Sequence, residues 1–155
     1  MNWEEKIDIL KKDFSPTDFR DPFTDCLDIL KKIESKFIIK NNYNFNNWSD
    51  NLKNKVLLRI VTLETSYQEI KCLDIKTNFW AVIINDNTPT ARHLIYDCKI
   101  NSLEVLLSFT LGDFCIIDKK YKWLTYFKVD RVKNEVIIFK SGDERTPFDS
   151  KSGNC

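Results

Sequence analysis

Residue types able to do covalent chemistry are few and scattered in this chain. His93 is the single histidine, with Cys98 five positions on and Cys115 further along. A thiol attacks as the thiolate, and a neighbouring imidazole can supply the base that makes it one. A pair of His93 with Cys98 or Cys115 is therefore one catalytic reading. The same cysteines read equally as small core residues, the usual state of a free thiol among apolar neighbours. No Gly-x-Ser-x-Gly elbow is present, and three unclustered glycines exclude both glycine-rich nucleotide fingerprints. Asp50 with Glu69-Ile70-Lys71 has the outline of a nuclease carboxylate set. That stretch reads as helix, where positions 69 and 71 point apart. With one histidine and no Cys-x-x-Cys, neither a zinc site nor any other metal or cofactor is expected.

Charged clusters offer binding rather than bond-making. Asp18, Asp21, Asp25 and Asp28 crowd one stretch, and 21, 25 and 28 fall at i, i+4, i+7 of an expected helix. Such a face can dock a basic protein surface. It also serves as a solvated face whose charge complements the helix N-terminus. The opposite sign gathers at Lys119-Lys120-Tyr121-Lys122-Trp123, followed by Lys128, Arg131 and Lys133. Lysines interleaved with aromatics can hold single-stranded nucleic acid. A Lys-rich hairpin that discourages strand addition has the same composition. Trp123 alternates with Phe127 and Val129, which places it in the core.

These residues must be positioned by the following elements. Trp3, Ile7 and Leu10 make one apolar stripe, predicting a helix over 3–12 that stops at Phe14-Ser15-Pro16. A second helix is expected from an Asp21 cap and Pro22 to Phe37, with Lys31, Lys32 and Lys36 complementing its C-terminal end. The Asn-rich stretch 40–47 reads as a loop, and 48–54 as a helical turn. Val56 to Leu63 is expected as a strand partly covered on both faces, and 65–74 as helix with a Thr65/Gln68 capping box. Phe79 to Ile84 reads as a central strand, 85–89 as a turn, and His93 to Tyr96 as the returning strand. Asn101 and Glu104 suggest a box at the start of a further helix that ends near Gly112. Strands at 114–117, 123–129 and 135–139 complete a meander.

The resulting expectation is an α+β fold of two layers. Two N-terminal helices pack on a mostly antiparallel sheet of about six strands, with a crossing helix and a C-terminal β-meander. Residues 1–140 form the single domain, and 141–155 form a polar tail expected to fray. At 155 residues the chain can bury about 70% of its unfolded surface, enough for a core without metal or disulfide support. Hydrophobic residues at 43% with aromatics at 13% argue against disorder. Twenty-four basic and 23 acidic residues leave a net charge of +1, far from the basic excess of most duplex-binding domains. Nucleic acid is thus not the expected partner. No signal peptide or membrane-spanning run is readable, so the expected location is the cytoplasm. The odd, dispersed cysteines fit that reducing compartment, with no disulfide framework expected.

One stretch carries a resemblance. Asp113-Phe114-Cys115-Ile116-Ile117-Asp118-Lys119-Lys120-Tyr121-Lys122-Trp123-Leu124 resembles the Lys-Lys-Tyr-x-Trp-Leu hairpin of a group of small uncharacterised bacterial proteins. Trp48 with Leu52, Phe79 to Ile84, Leu94 to Tyr96 and Leu103 to Leu107 follow in that group's order, so the likeness spans roughly Trp48 to Val129. The group is similar in type to immunity proteins of bacterial toxin systems. The resemblance implies a compact α+β protein that binds and neutralises a cognate toxin without catalysis. It departs at Phe127 to Arg131, where the group often carries histidines, and it transfers no catalytic residue. The expected toxin contacts are Asp21, Asp25 and Asp28, or alternatively Lys119, Lys120 and Lys122. The chain itself is expected as a monomer or weak homodimer. A small Cys/His enzyme and a single-stranded nucleic-acid module stand as the alternatives.

Overall fold

A computed structural model describes residues 1–39, 45–84 and 94–149. The fold is α+β, with a seven-stranded antiparallel sheet rather than about six strands. The element order is α1 (Trp3–Asp13), β1 (Phe19–Arg20), α2 (Cys26–Phe37), a 3₁₀ turn (Phe45–Asp50) and β2 (Lys55–Val61). It continues through α3 (Leu63–Glu69), a second 3₁₀ turn (Ile70–Cys72), β3 (Phe79–Ile84), β4 (Ile95–Cys98), α4 (Ile100–Phe109), β5 (Asp113–Asp118), β6 (Leu124–Asp130) and β7 (Glu135–Ser141). Across the sheet the strands run β1-β4-β3-β5-β6-β7-β2.

Side-chain alternation along the central strands divides the core in two. Phe79, Ala81 and Ile83 of β3, with Phe114 and Ile116 of β5, meet Ile7 and Leu10 of α1 and Leu103, Leu106 and Leu107 of α4. On the other side Trp80, Val82, Ile84, Cys115 and Ile117 meet Ile29, Leu30, Ile33 and Phe37 of α2, together with Trp48 and Leu52. The two N-terminal helices therefore cover opposite faces, and the sheet is the middle of three layers. This corrects the two-layer expectation. A strand apolar at every position, as β3 is, demands a cover on each side.

Several boundaries also move for identifiable reasons. Helix α2 begins at Cys26, because Asp25 and not Asp21 accepts the cap hydrogen bond, from the Leu27 N–H. Helix α3 is capped by Thr62, whose hydroxyl accepts from the Thr65 N–H, in place of a Thr65/Gln68 box. Lys99 occupies the cap position of α4 without a side-chain cap bond, and Asn101 reaches instead to Asp18. Strand β2 lies at the sheet edge, with Val56, Leu57 and Ile60 exposed, so it is not covered on both faces. Cys72 is disulfide-bonded, against the expectation that no cysteine is.

The tail expectation changes most. Within residues 141–149, Phe148 is fully buried and meets Trp123 and Phe127 edge-on, at centroid distances of 6.1 and 5.3 Å. The Arg59 guanidinium donates to the Phe148 carbonyl at 2.7 Å. Lys140 pairs with Asp149 at 2.8 Å, and the Asp149 carboxylate also accepts from the Thr146 hydroxyl. This segment is part of the domain. The rest of the expected tail lies outside the described residues.

Candidate functional site

The expected sites separate once the elements are in place. Cys98 on β4 and Cys115 on β5 belong to opposite core clusters. Both are fully buried, and burial pushes both thiols well above their ordinary range, reinforced by Asp97 and by Asp113 respectively. Neither thiol is poised as a nucleophile near neutral pH. His93 lies outside the described residues. The Asp50/Glu69/Lys71 reading also disperses. Glu69 is buried against Arg59, 2.9 Å away, while Lys71 is exposed. Among the described residues no group of three or more His, Cys, Asp or Glu side chains could hold a metal ion.

The three aspartates do not share a helix face. Asp21 precedes α2 and pairs with Lys11 of α1 at 2.6 Å. Asp25 is the α2 cap, and Asp28 is exposed in the first helical turn. Asp18 belongs to the fold: it accepts from Asn101 and from Lys99, which hold its carboxyl below the usual range. What Asp21 does is line a cleft of about 420 Å³ between α1 and the start of α2. Glu4 and Asp8 also line it, and Lys11 is the one cation. Tyr96 contributes its ring, with the phenol oxygen accepting from the Trp3 indole at 2.8 Å. Three carboxylates against one ammonium leave the cleft acidic. Two of those carboxylates come from α1, whose Glu4 and Asp8 sit one turn apart. That spacing was the available sequence signal for a site built jointly by α1 and Asp21, but nothing local placed α1 against Asp21.

The lysine run divides as well. Lys119 reaches the buried Asp97 carboxylate at 2.6 Å and lies 3.6 Å over the Trp80 ring. Asp97 also accepts from Arg20 at 2.9 Å and from Asn78 at 2.8 Å. Two cations and an amide thus satisfy a carboxylate that is only 2% exposed, which makes Lys119 a structural residue. Lys120 and Lys122 are exposed. Trp123 is buried, as its alternation predicts. Asp118 closes the turn by accepting from the Lys122 and Trp123 N–H groups.

No protein-family description, no curated protein and no solved structure matches the chain. No helix among the described residues is long and apolar enough to cross a membrane.

Proposed function

We propose that the chain is a bacterial toxin-neutralising immunity protein, which acts by docking a basic surface of its toxin. The observation that carries this reading is the acidic cleft of Glu4, Asp8 and Asp21, with exposed Asp28 on the adjoining turn of α2. A concave acidic wall on a rigid helix is suited to a protruding Lys or Arg of a partner. Charges of this kind steer encounter, while apolar contacts around them supply most of the affinity. A complex of standard size would bury about 1,600 Å² in total. The hairpin that carries the resemblance contributes differently, since Lys119, Trp123 and Asp118 build the fold.

The first test is affinity capture of the tagged protein from its source cells, with intact-mass identification of the partner. Stoichiometric recovery of one protein encoded beside it supports the reading. With that partner in hand, Asp8→Lys with Asp28→Lys should slow association at low salt and much less at high salt. Both positions are exposed, and neither supplies the α2 cap. An unchanged association rate discards the acidic cleft as the contact.

A further inference from the structure

A second charged surface lies away from the acidic cleft. Lys31, Lys32, Ser35 and Lys36 of α2 form a shallow groove with Tyr121 of the β5–β6 turn, about 370 Å³ in volume. Lys120 and Lys122, both exposed, flank Tyr121 in the chain. The Lys53 ammonium is held beside the groove by the Ser35 carbonyl at 2.7 Å. Lys32 and Lys36 stand one helical turn apart, and the Lys32 ammonium lies 5.7 Å from the centroid of the Tyr121 ring. Asp28 and Glu34 of α2 and Asp118 of the turn are the acids near this set, and against Lys31, Lys32, Lys36, Lys53, Lys120 and Lys122 they leave the surface with a net positive charge.

Tyr121 adds an independent observation. It sits at φ +55°, a left-handed conformation that bulky side chains rarely adopt. The other two non-glycine residues with positive φ among the described residues are Asn54 and Asn134, the residue type such turns favour. The ring is part-buried and packs against the core cluster under α2, which accounts for an aromatic at this position, and its remaining exposed surface forms one wall of the lysine-lined groove. An aromatic surface beside several ammonium groups is the combination that holds single-stranded nucleic acid.

We infer that the groove of Lys31, Lys32, Lys36 and Tyr121 binds single-stranded nucleic acid, the lysines holding phosphates and the tyrosine ring stacking a base. The lining favours this ligand over an acidic peptide. It offers point charges and a π-face, and no arginine fork among its residues to grip a carboxylate in two-point fashion. The inference is independent of the toxin-binding reading and concerns different residues.

The test is fluorescence anisotropy of the full chain with a labelled oligothymidylate of about twelve nucleotides, within the range such sites cover. Three phosphates engaged predict a slope of log affinity against log salt of roughly −2, or roughly 15-fold weaker binding between about 50 and 200 mM salt. Tyr121→Asn keeps the turn, because asparagine tolerates its φ, and should weaken binding by roughly tenfold. Lys32→Ala with Lys36→Ala should weaken it further and flatten the salt slope. Lys133→Ala, on the distant β6–β7 turn, should leave it unchanged. Circular dichroism of each variant confirms that the fold is kept. Three results overturn the inference: no binding at the lower salt, a loss with Lys133→Ala equal to that of the groove variants, or unchanged binding by Tyr121→Asn. Equal competition by oligoglutamate would reassign the groove to acidic protein segments and overturn it too.

Discussion

Replacing Phe148 with alanine should destabilise the domain as much as a deletion in its centre. The ring is fully buried and lies edge-on to both Trp123 and Phe127. Removing a buried phenylalanine costs about 3–5 kcal/mol, the lost transfer energy plus the cavity left behind. An unfolding entropy of about 2.1 cal/mol/K per residue gives a chain of this length roughly 0.33 kcal/mol/K. The corresponding drop in melting temperature is roughly 9–15 °C. Urea unfolding followed by tryptophan fluorescence, with Trp123 in contact with the deleted ring, gives the free energy, and calorimetry gives the temperature. Exposed Arg145, three residues away, supplies the control: Arg145→Ala should stay within about 0.5 kcal/mol. If Phe148→Ala behaves like Arg145→Ala, residues 141–149 are not docked in solution, and the frayed-tail expectation is restored.

Three further predictions concern buried charge and thiols. Burial raises the Glu69 carboxyl despite the attraction of Arg59, so ionising it costs stability as pH rises from its ordinary value of 4.5 through its folded one. Glu69→Gln should therefore gain on the parent between pH 4 and 7 in urea titrations, and a constant difference refutes the assignment. Asp149 has the opposite sign. Burial raises it, but the hydrogen bonds from Lys140 and Thr146 outweigh that and hold it below 3.8, so its contribution is present near neutral pH and fades as pH falls through the folded value. Asp149→Asn should flatten the acid limb of the stability curve, and an unaltered limb counts against the ion pair. Native thiol labelling at about pH 7–8 should modify half-buried Cys26 while Cys98 and Cys115 stay inert until urea is added. Native labelling of either buried thiol at its unfolded rate would reopen the cysteine-enzyme reading.

Elements with strong periodicity were legible, and partner choice between elements was not. The all-apolar run Phe79 to Ile84 announced a central strand, and β3 is that strand, with the cover on its second face not drawn from the run. Nothing in the run says which helix takes which face. Two aspartates, Asp21 and Asp25, satisfy the local rule for an α2 cap, and Asp21 has the following proline besides. Asp25 takes the cap, while Asp21 pairs with Lys11, ten residues before it. That contact between elements is one that no local window contains. Phe148 was hidden for a similar reason. A single aromatic in a polar tail has no period, and its role depends on a hole between Trp123 and Phe127 that exists only after β6 forms.

The same physics explains why the lysine run could not be read as one surface. In sequence, Lys119, Lys120 and Lys122 are equivalent charges on one turn. In the fold, β4 places Asp97 between Arg20 of β1 and Trp80 of β3, and a carboxylate that deeply buried must be paired. Lys119 and Arg20 meet that requirement from opposite sides in the strand order, so their charges are spent holding the sheet together. Lys120 and Lys122 stay exposed. Asp97→Ala separates the two classes. It should cost about 1.5–3 kcal/mol by removing the buried acceptor of Arg20, Lys119 and Asn78, while alanine at Lys120 or Lys122 should change stability by less than about 0.5 kcal/mol. A small effect of Asp97→Ala in urea unfolding would mean that Lys119 is as free as its neighbours, and the division drawn between structural and available lysines would fail.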